Sequence, residues 1–515
     1  MKNARHPGFR AGGNGCAAWL VLSLLPVLIL AGAFFRFYGL SAQSYWMDEG
    51  YTINAVLSVK EHGSTVLDSG KQYSCPTYCY PTAVIAQEFG DGPFSYRLLA
   101  AIAGTAFILV AYLAGAGMFG RFAGLAAAAF TALSYFQIAW SRQARWYTLF
   151  ELFFWLALLC FYRFLYAGGS RASRVMYGAA TFVLSALAIL THGLGWLLPG
   201  IFIAWFLVDR WILRKLFRLR EAGFAALALA CAGAVGCAFA PASLAGLMSH
   251  ISFHYELPYY LSFYLRSYWP LLLLALVALA RTREDRRGVW LLLFALLAYL
   301  LPLGFLTGIV HYRYLFHLTP VIFILAALGT SDLISLARPR WQKISIGLLV
   351  VLAFFASGTG VWKPESLYFL ESDDPAALAA RPYYAYTPQP DWTGAYAYIK
   401  SHRVPGDAIV SSLPQFTKIF LGEPGYWVRY DYLGFDDPAA VSPDGRESYV
   451  GARVLDGLAP LQALTSSSRG YLVLDTLALS PGRLPEEETA YIREHFTEVF
   501  YSKTNSYSEI WVYRF

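Results

Sequence analysis

Eleven apolar stretches leave this chain few ways to fold. They lie near residues 16–36, 97–118, 122–139, 147–166, 175–191, 193–209, 223–243, 264–280, 288–307, 315–335 and 344–361. About 20 apolar residues in a helix cross the hydrocarbon of a bilayer, and a spanning helix satisfies its own backbone. Of the 515 residues, 57% are hydrophobic and 14% charged, against roughly 25% charged in a soluble domain. The first stretch is too long for a signal-peptide core and lacks a clean small-residue cleavage site, so it reads as a retained helix. The expectation is an α-helical polytopic membrane protein with about eleven transmembrane helices.

The net charge of +7 sits in short clusters between apolar stretches and makes no continuous patch. This argues against a nucleic-acid partner and for a topological signal. Alternate loops divide the basic residues 19 to 8. Short loops rich in Lys and Arg stay in the cytoplasm. The N-terminus is therefore expected inside, and the loop after the first span outside. An odd number of spans places the C-terminus outside as well. Cell-membrane localisation, in a bacterial inner membrane, is the expectation.

Composition changes after Val361. Residues 362–515 carry Pro, Gly, Asp and Glu at soluble-domain levels. Trp392 to His402 and Glu486 to His495 read as helices; Asp407 to Ser412, Gly470 to Asp475 and Glu509 to Tyr513 read as strands. Such alternation predicts a small extracytoplasmic α/β domain. The expected division is a catalytic membrane domain at 1–361, including an outer loop at 37–96, followed by the domain at 362–515. There is no Gly-rich phosphate loop and no internal repeat.

The chemistry concentrates in the outer loops. Loop one holds Asp48 and Glu49 among aromatic residues, then Lys71, Glu88, Asp91 and Arg97. Ionisable groups are costly at a membrane and commonly mark function there. Later outer segments hold Arg142, Arg145 and Tyr147, then His192, then His311, Tyr312, Arg313 and Tyr314, with His317 a turn on. Arg142 and Arg145 are three apart, so on a helix they share a face. Outer cations set among phenols suit a phosphate or pyrophosphate. A carboxylate at Asp48 suits a general base. Together these describe glycosyl transfer from a lipid phosphate.

Simpler roles stand beside these. Glu49 can cap the helix it begins, and Asp48 can do the same. Arg97, Arg266 and the other outer arginines can snorkel to headgroups. His192 can bond a helix end, and His317 can be packing. Cys75 and Cys79 are placed for a local disulfide in an oxidising compartment, with a metal pair as the alternative. The Cys and His content makes no metal site.

The order of these motifs resembles the GT-C glycosyltransferases, specifically the family 39/83 type that includes protein O-mannosyltransferases and lipid A aminoarabinose transferases. The acidic pair, Tyr80-Pro81-Thr82, the Tyr96 to Thr105 segment, Ser141 to Tyr147, Thr191-His192 and His311 to Tyr314 carry the resemblance over about residues 1–340. It implies a polyprenyl-phosphate sugar donor, an extracytoplasmic acceptor and inverting displacement. It further implies catalysis by Asp48 with Glu49, and donor-phosphate ligands among Arg142, Arg145, Tyr147, His192, His311, Tyr312, Arg313 and Lys71. A divalent cation, Mg or Mn, is an open cofactor. Cys79-Tyr80 stands where the aminoarabinose transferases carry an acidic-basic pair, which argues against that sugar. A lipid-linked glycan ligase and a transporter or flippase are the alternatives. A transporter calls for ionisable groups inside the spans, and the sequence pattern shows them clustered at one face.

Overall fold

The computed structural model describes residues 15–213, 248, 251–282, 286–306, 311–357, 359–361, 389–430, 440–505 and 508–515. Ten of the eleven expected stretches fall on helical segments; 223–243 lies outside the described residues. Seven described helices are long and apolar enough to cross a membrane.

The chain divides into two compact units. The first takes Met1–Tyr38, Ala100–Arg142 and Trp146–Lys363; the second takes Gly39–Leu99, Gln143–Arg145 and Pro364–Phe515. Loop one, grouped with the membrane region on sequence, instead clusters with the C-terminal segment. It carries two helices of its own, α2 (Met47–His62) and α3 (Pro76–Phe89). The composition shift at Val361 gave no sign of this, because the joining contacts are far apart in sequence. Asn54 Nδ2, for example, donates to the Gln415 carbonyl at 3.0 Å.

The first unit is built from α1 (Gly15–Phe37), α4 (Pro93–Phe119) from Ala100 onward, α5 (Arg121–Leu133), α6 (Tyr135–Trp140), α7 (Tyr147–Tyr166) and α8 (Arg171–Thr191). It continues through α9 (Leu197–Leu207), α10 (Leu257–Ala280), α11 (Arg287–Phe305), α12 (Thr319–Leu336) and α13 (Arg340–Ala356). Small residues let backbones approach closely, as membrane helices require. Gly329 of α12 lies so near the Leu274 carbonyl of α10 that a Cβ would collide with it.

In the second unit α2 begins with a capping box: Glu49 Oε2 accepts from the Trp46 amide at 2.9 Å. It ends at Gly63, whose φ of 71° closes the helix onto the Val59 carbonyl. The C-terminal segment adds α14 (Trp392–His402), α15 (Pro414–Leu421), α16 (Leu458–Ser467) and α17 (Glu486–His495). They accompany a six-stranded sheet of order β3-β2-β1-β4-β6-β5. Its strands are β1 (Ala408–Ser411), β2 (Tyr426–Val428), β3 (Arg453–Leu455), β4 (Gly470–Asp475), β5 (Thr497–Asn505) and β6 (Ser508–Arg514). The first four are parallel; β6 runs antiparallel to β4 and to β5. The sequence pattern found α14, α17, β1, β4 and β6, but missed α15, α16, β2, β3 and β5.

Cys75 and Cys79 are free and buried at the first turn of α3, so the disulfide reading is not taken up. The metal alternative lacks further ligands: among the described residues, the His and carboxylate group dense enough to hold an ion is Glu61, His62 and Asp68, all exposed.

One buried carboxylate opposes folding. Glu488 lies one turn before Ile492 on α17, against the core of Val410, Leu455, Leu461, Leu472 and Leu484. It is 1% exposed, and neither carboxylate oxygen has a hydrogen-bond partner among the described residues. Burial first, then the charges of Glu487 and Asp456, push its pKa up to about 7. The unfolded chain ionises near the ordinary glutamate value, so stability is greatest below that value and falls as pH rises toward 7. Glu488→Gln should therefore leave thermal stability nearly unchanged at pH 4.5 and raise it by about 1–3 kcal/mol at pH 8. Melting curves of the detergent-solubilised protein at the two pH values check this.

Candidate active site

Glu49 and Asp48 are neighbours with opposite situations. Glu49 is 1% exposed. Its Oε1 accepts from Arg97 Nε at 2.8 Å and the Ala144 amide at 2.6 Å. Its Oε2 accepts from Arg97 Nη2 at 2.8 Å and the Trp46 amide at 2.9 Å. Arg97 in turn donates from Nη1 to the carbonyls of Leu40 (3.0 Å) and Gln43 (2.8 Å), and from Nη2 to Ser44 (3.0 Å). All five guanidinium hydrogens are engaged, and so are two lone-pair directions on each Glu49 oxygen. A buried ion pair persists where further hydrogen bonds saturate both partners, as they do here. Arg97 does not snorkel; it holds the entry to α2, and Glu49 holds the 143–145 segment.

Asp48 is held through its backbone. Its carbonyl accepts from Arg145 Nη1 at 2.9 Å. The same Nη1 donates to Thr52 Oγ1 (3.0 Å) and to the Tyr73 hydroxyl (2.8 Å). The Asp48 carboxylate is 13% exposed, with Oδ2 3.8 Å from Arg145 Nη2. Arg145 thus supplies countercharge without the close two-point contact that Arg97 makes with Glu49. Thr52, one turn on in α2, and Tyr73 escaped the sequence reading. The i, i+4 spacing of Asp48 and Thr52 was the available signal.

Arg142 and Arg145 do not share a helix face. Ser141–Trp146 is a turn between α6 and α7, because the two side chains are drawn to different backbones. Arg142 Nη1 takes the carbonyls of Phe35 (2.9 Å), Arg36 (3.1 Å) and Tyr38 (2.8 Å) at the end of α1. Lys71 sits 3.6 Å above the Tyr449 ring. This is a cation–π contact, and Tyr51 packs on the same ring at 4.3 Å.

The remaining expected residues gather in the first unit. His192 caps the short 3-10 turn Gly193–Trp196, its Nδ1 accepting from the Leu194 amide at 3.0 Å. Its ring lies 5.7 Å from Tyr147, 5.2 Å from Phe150 and 6.0 Å from Tyr314. The ring of His311 lies 6.1 Å from Tyr314, and the Arg313 guanidinium is 5.7 Å from that ring. The group therefore combines two imidazoles, a guanidinium and two phenols. Tyr312 departs from it: it stacks on Tyr259 at 4.3 Å and on Phe263 at 4.8 Å. His317 is a packing residue, edge-on to Phe150, Phe154 and Tyr299.

Buried groups in the helices, Asp332 of α12 among them, correct the expectation that ionisable residues avoid the spans. Glu151 in α7 and Arg36 in α1 are both 0% exposed. A carboxylate inside an apolar run was a legible signal. Glu49 is saturated, so a divalent cation at the acidic pair would find one carboxylate, Asp48; Mg²⁺ is commonly held by one or two carboxylates together with substrate phosphate.

No protein-family profile matches the chain, and no curated protein matches it by sequence. Solved structures do match by fold. ArnT from Cupriavidus metallidurans in the apo state superposes with a TM-score of 0.63 at 17% identity, over 97% of this chain and 98% of that one. ArnT bound to undecaprenyl phosphate gives 0.61 at 16%, with the same coverage. The archaeal oligosaccharyltransferase AglB from Archaeoglobus fulgidus, in complex with an inhibitory peptide and a dolichol-phosphate, gives 0.56 at 14%. There the match covers 96% of this chain and 74% of AglB.

The two carboxylates should respond differently to mutation. Arg97→Ala strands a buried Glu49 and should cost about 3–5 kcal/mol. Asp48→Asn should change stability by less than about 1 kcal/mol. Thermal unfolding of the two variants side by side reads the contrast.

Proposed function

We propose that this chain, which has the fold of the GT-C glycosyltransferases, is a membrane glycosyltransferase. It moves a sugar from a polyprenyl-phosphate donor to an extracytoplasmic acceptor. One observation carries the assignment of the base: Glu49 is fully spent on Arg97 and two amides, while Asp48 keeps a partly accessible carboxylate. The lipid phosphates in the ArnT and AglB structures support the donor class. The distribution of basic residues supports a cytoplasmic N-terminus and an extracytoplasmic C-terminal segment.

In the proposed step an acceptor hydroxyl gives its proton to Asp48 as its oxygen attacks the anomeric carbon. The bond from that carbon to the phosphate oxygen breaks, its electron pair stays on the phosphate, and the anomeric centre inverts. Polyprenyl phosphate leaves. Arg145 holds the Asp48 carbonyl, Thr52 and Tyr73 hold Arg145, and the set so aims the Asp48 carboxylate. Glu49 is a structural residue in this scheme. The donor phosphate is assigned to Arg313 with His192, Tyr147 and His311, and to Arg142. Arg145 and Lys71, which belong to the second unit, are not assigned to the phosphate. Tyr312, stacked on aromatic rings, shapes the surroundings rather than binding phosphate.

General-base catalysis contributes typically about 10²–10⁴-fold. Asp48→Asn keeps the shape but cannot take the proton, so turnover of polyprenyl-phosphate sugars in membranes should fall by that factor. Donor binding and melting temperature should stay close to wild type. Full activity in a folded Asp48→Asn would overturn the assignment.

A further inference from the structure

The turn that begins at Ser141 is held by a polar network buried among apolar helices of the first unit. Arg36, at the last turn of α1, is 0% exposed. Its Nη1 donates to Gly32 O (3.0 Å) and Ala132 O (3.2 Å), its Nη2 to Thr131 O (3.2 Å), and its Nε to Ser141 Oγ (3.2 Å). The Thr131 and Ala132 carbonyls close α5, where a cation is favoured by the helix dipole. Arg142 does the same for α1. Two arginines thus cap the ends of two helices, Arg36 that of α5 and Arg142 that of α1. Ser141 Oγ donates to Gln137 O at 2.5 Å, and Gln137 Nε2 donates to Glu151 Oε1 at 2.7 Å. Glu151 is also an electrostatic partner of Arg36. Gly104 of α4 completes the fit: a Cβ there would overlap the Ser141 hydroxyl and approach Arg36 Nε to 3.2 Å.

A buried polar network of this cost, with a charged group at each end, needs a reason, since apolar side chains of similar volume are commonly as stable. We infer that Arg36, Gln137, Ser141 and Glu151 are positioning residues for donor binding. They fix the direction of the turn that presents Arg142 and leads directly into Arg145. This rests on the proposed glycosyltransferase reading. The four residues touch no substrate; they act through Arg142.

Two substitutions disturb the network from different sides. Ser141→Ala removes the hydroxyl that links Arg36 to Gln137. Gly104→Ala removes no polar group and displaces Ser141 by volume. Affinity for undecaprenyl phosphate is measured on the full chain in detergent, counting folded protein only. Each variant should bind roughly tenfold more weakly than wild type. The double variant should be no weaker than the worse single one, because both act through the same contact. In transfer assays the donor KM should rise with the acceptor KM unchanged. A merely structural role would lower melting temperature and folded yield while the folded fraction bound normally. Wild-type affinity in folded Ser141→Ala and Gly104→Ala would overturn the inference and leave the glycosyltransferase reading standing. Failure of the wild type itself to bind undecaprenyl phosphate would remove both.

Discussion

Two carboxylates stand side by side at the start of α2, and a buried guanidinium decides between them. Arg97 meets Glu49 edge to edge at 2.8 Å on both oxygens. It spends its other hydrogens on the carbonyls of Leu40, Gln43 and Ser44. The Ala144 and Trp46 amides close the remaining acceptor sites. This saturation is what makes a buried pair tolerable, because the Coulomb attraction alone does not repay the desolvation of both charges. Three separate stretches of chain, 40–49, 97 and 144, are thereby referred to one point. Asp48 inherits its position from that point without being consumed by it.

Arginine recurs as the residue that fixes backbone. Arg145 holds the Asp48 carbonyl, Arg142 the end of α1, and Arg36 the end of α5. A planar fork with five donors suits several carbonyls at once, which an ammonium does not. The sequence offers Arg142 and Arg145 as phosphate ligands, with headgroup anchoring as the alternative. Part of each guanidinium is now seen to be structural.

Much of the fold was legible because the bilayer is a strict solvent. Apolar runs such as 147–166 became Tyr147–Tyr166 with both ends as expected. Trp392–His402 and Glu486–His495 were equally clear. What failed depends on distant partners. Thr497–Asn505 carries little periodic signal as a strand, and its pairing with Ser508–Arg514 includes register shifts. Helices α2 and α3 were hidden in a loop read as one segment between two spans, and Asn54 finds Gln415 only in three dimensions. Within the site, sequence order singled out Asp48 and Glu49, but nothing local distinguished them. The distinction is made by Arg97, 48 positions away from Glu49.

The central claim is that one carboxylate, Asp48, serves the reaction as a base while its neighbour is locked in an ion pair. A base acting alone gives a single displacement, whereas retention needs a nucleophile that first carries the sugar. The most direct measurement is the anomeric configuration of the transferred sugar, read by NMR on product made from a polyprenyl-phosphate donor of defined anomer. Inversion is the predicted result. Retention would require a second reactive group and would contradict the division of labour between Asp48 and Glu49.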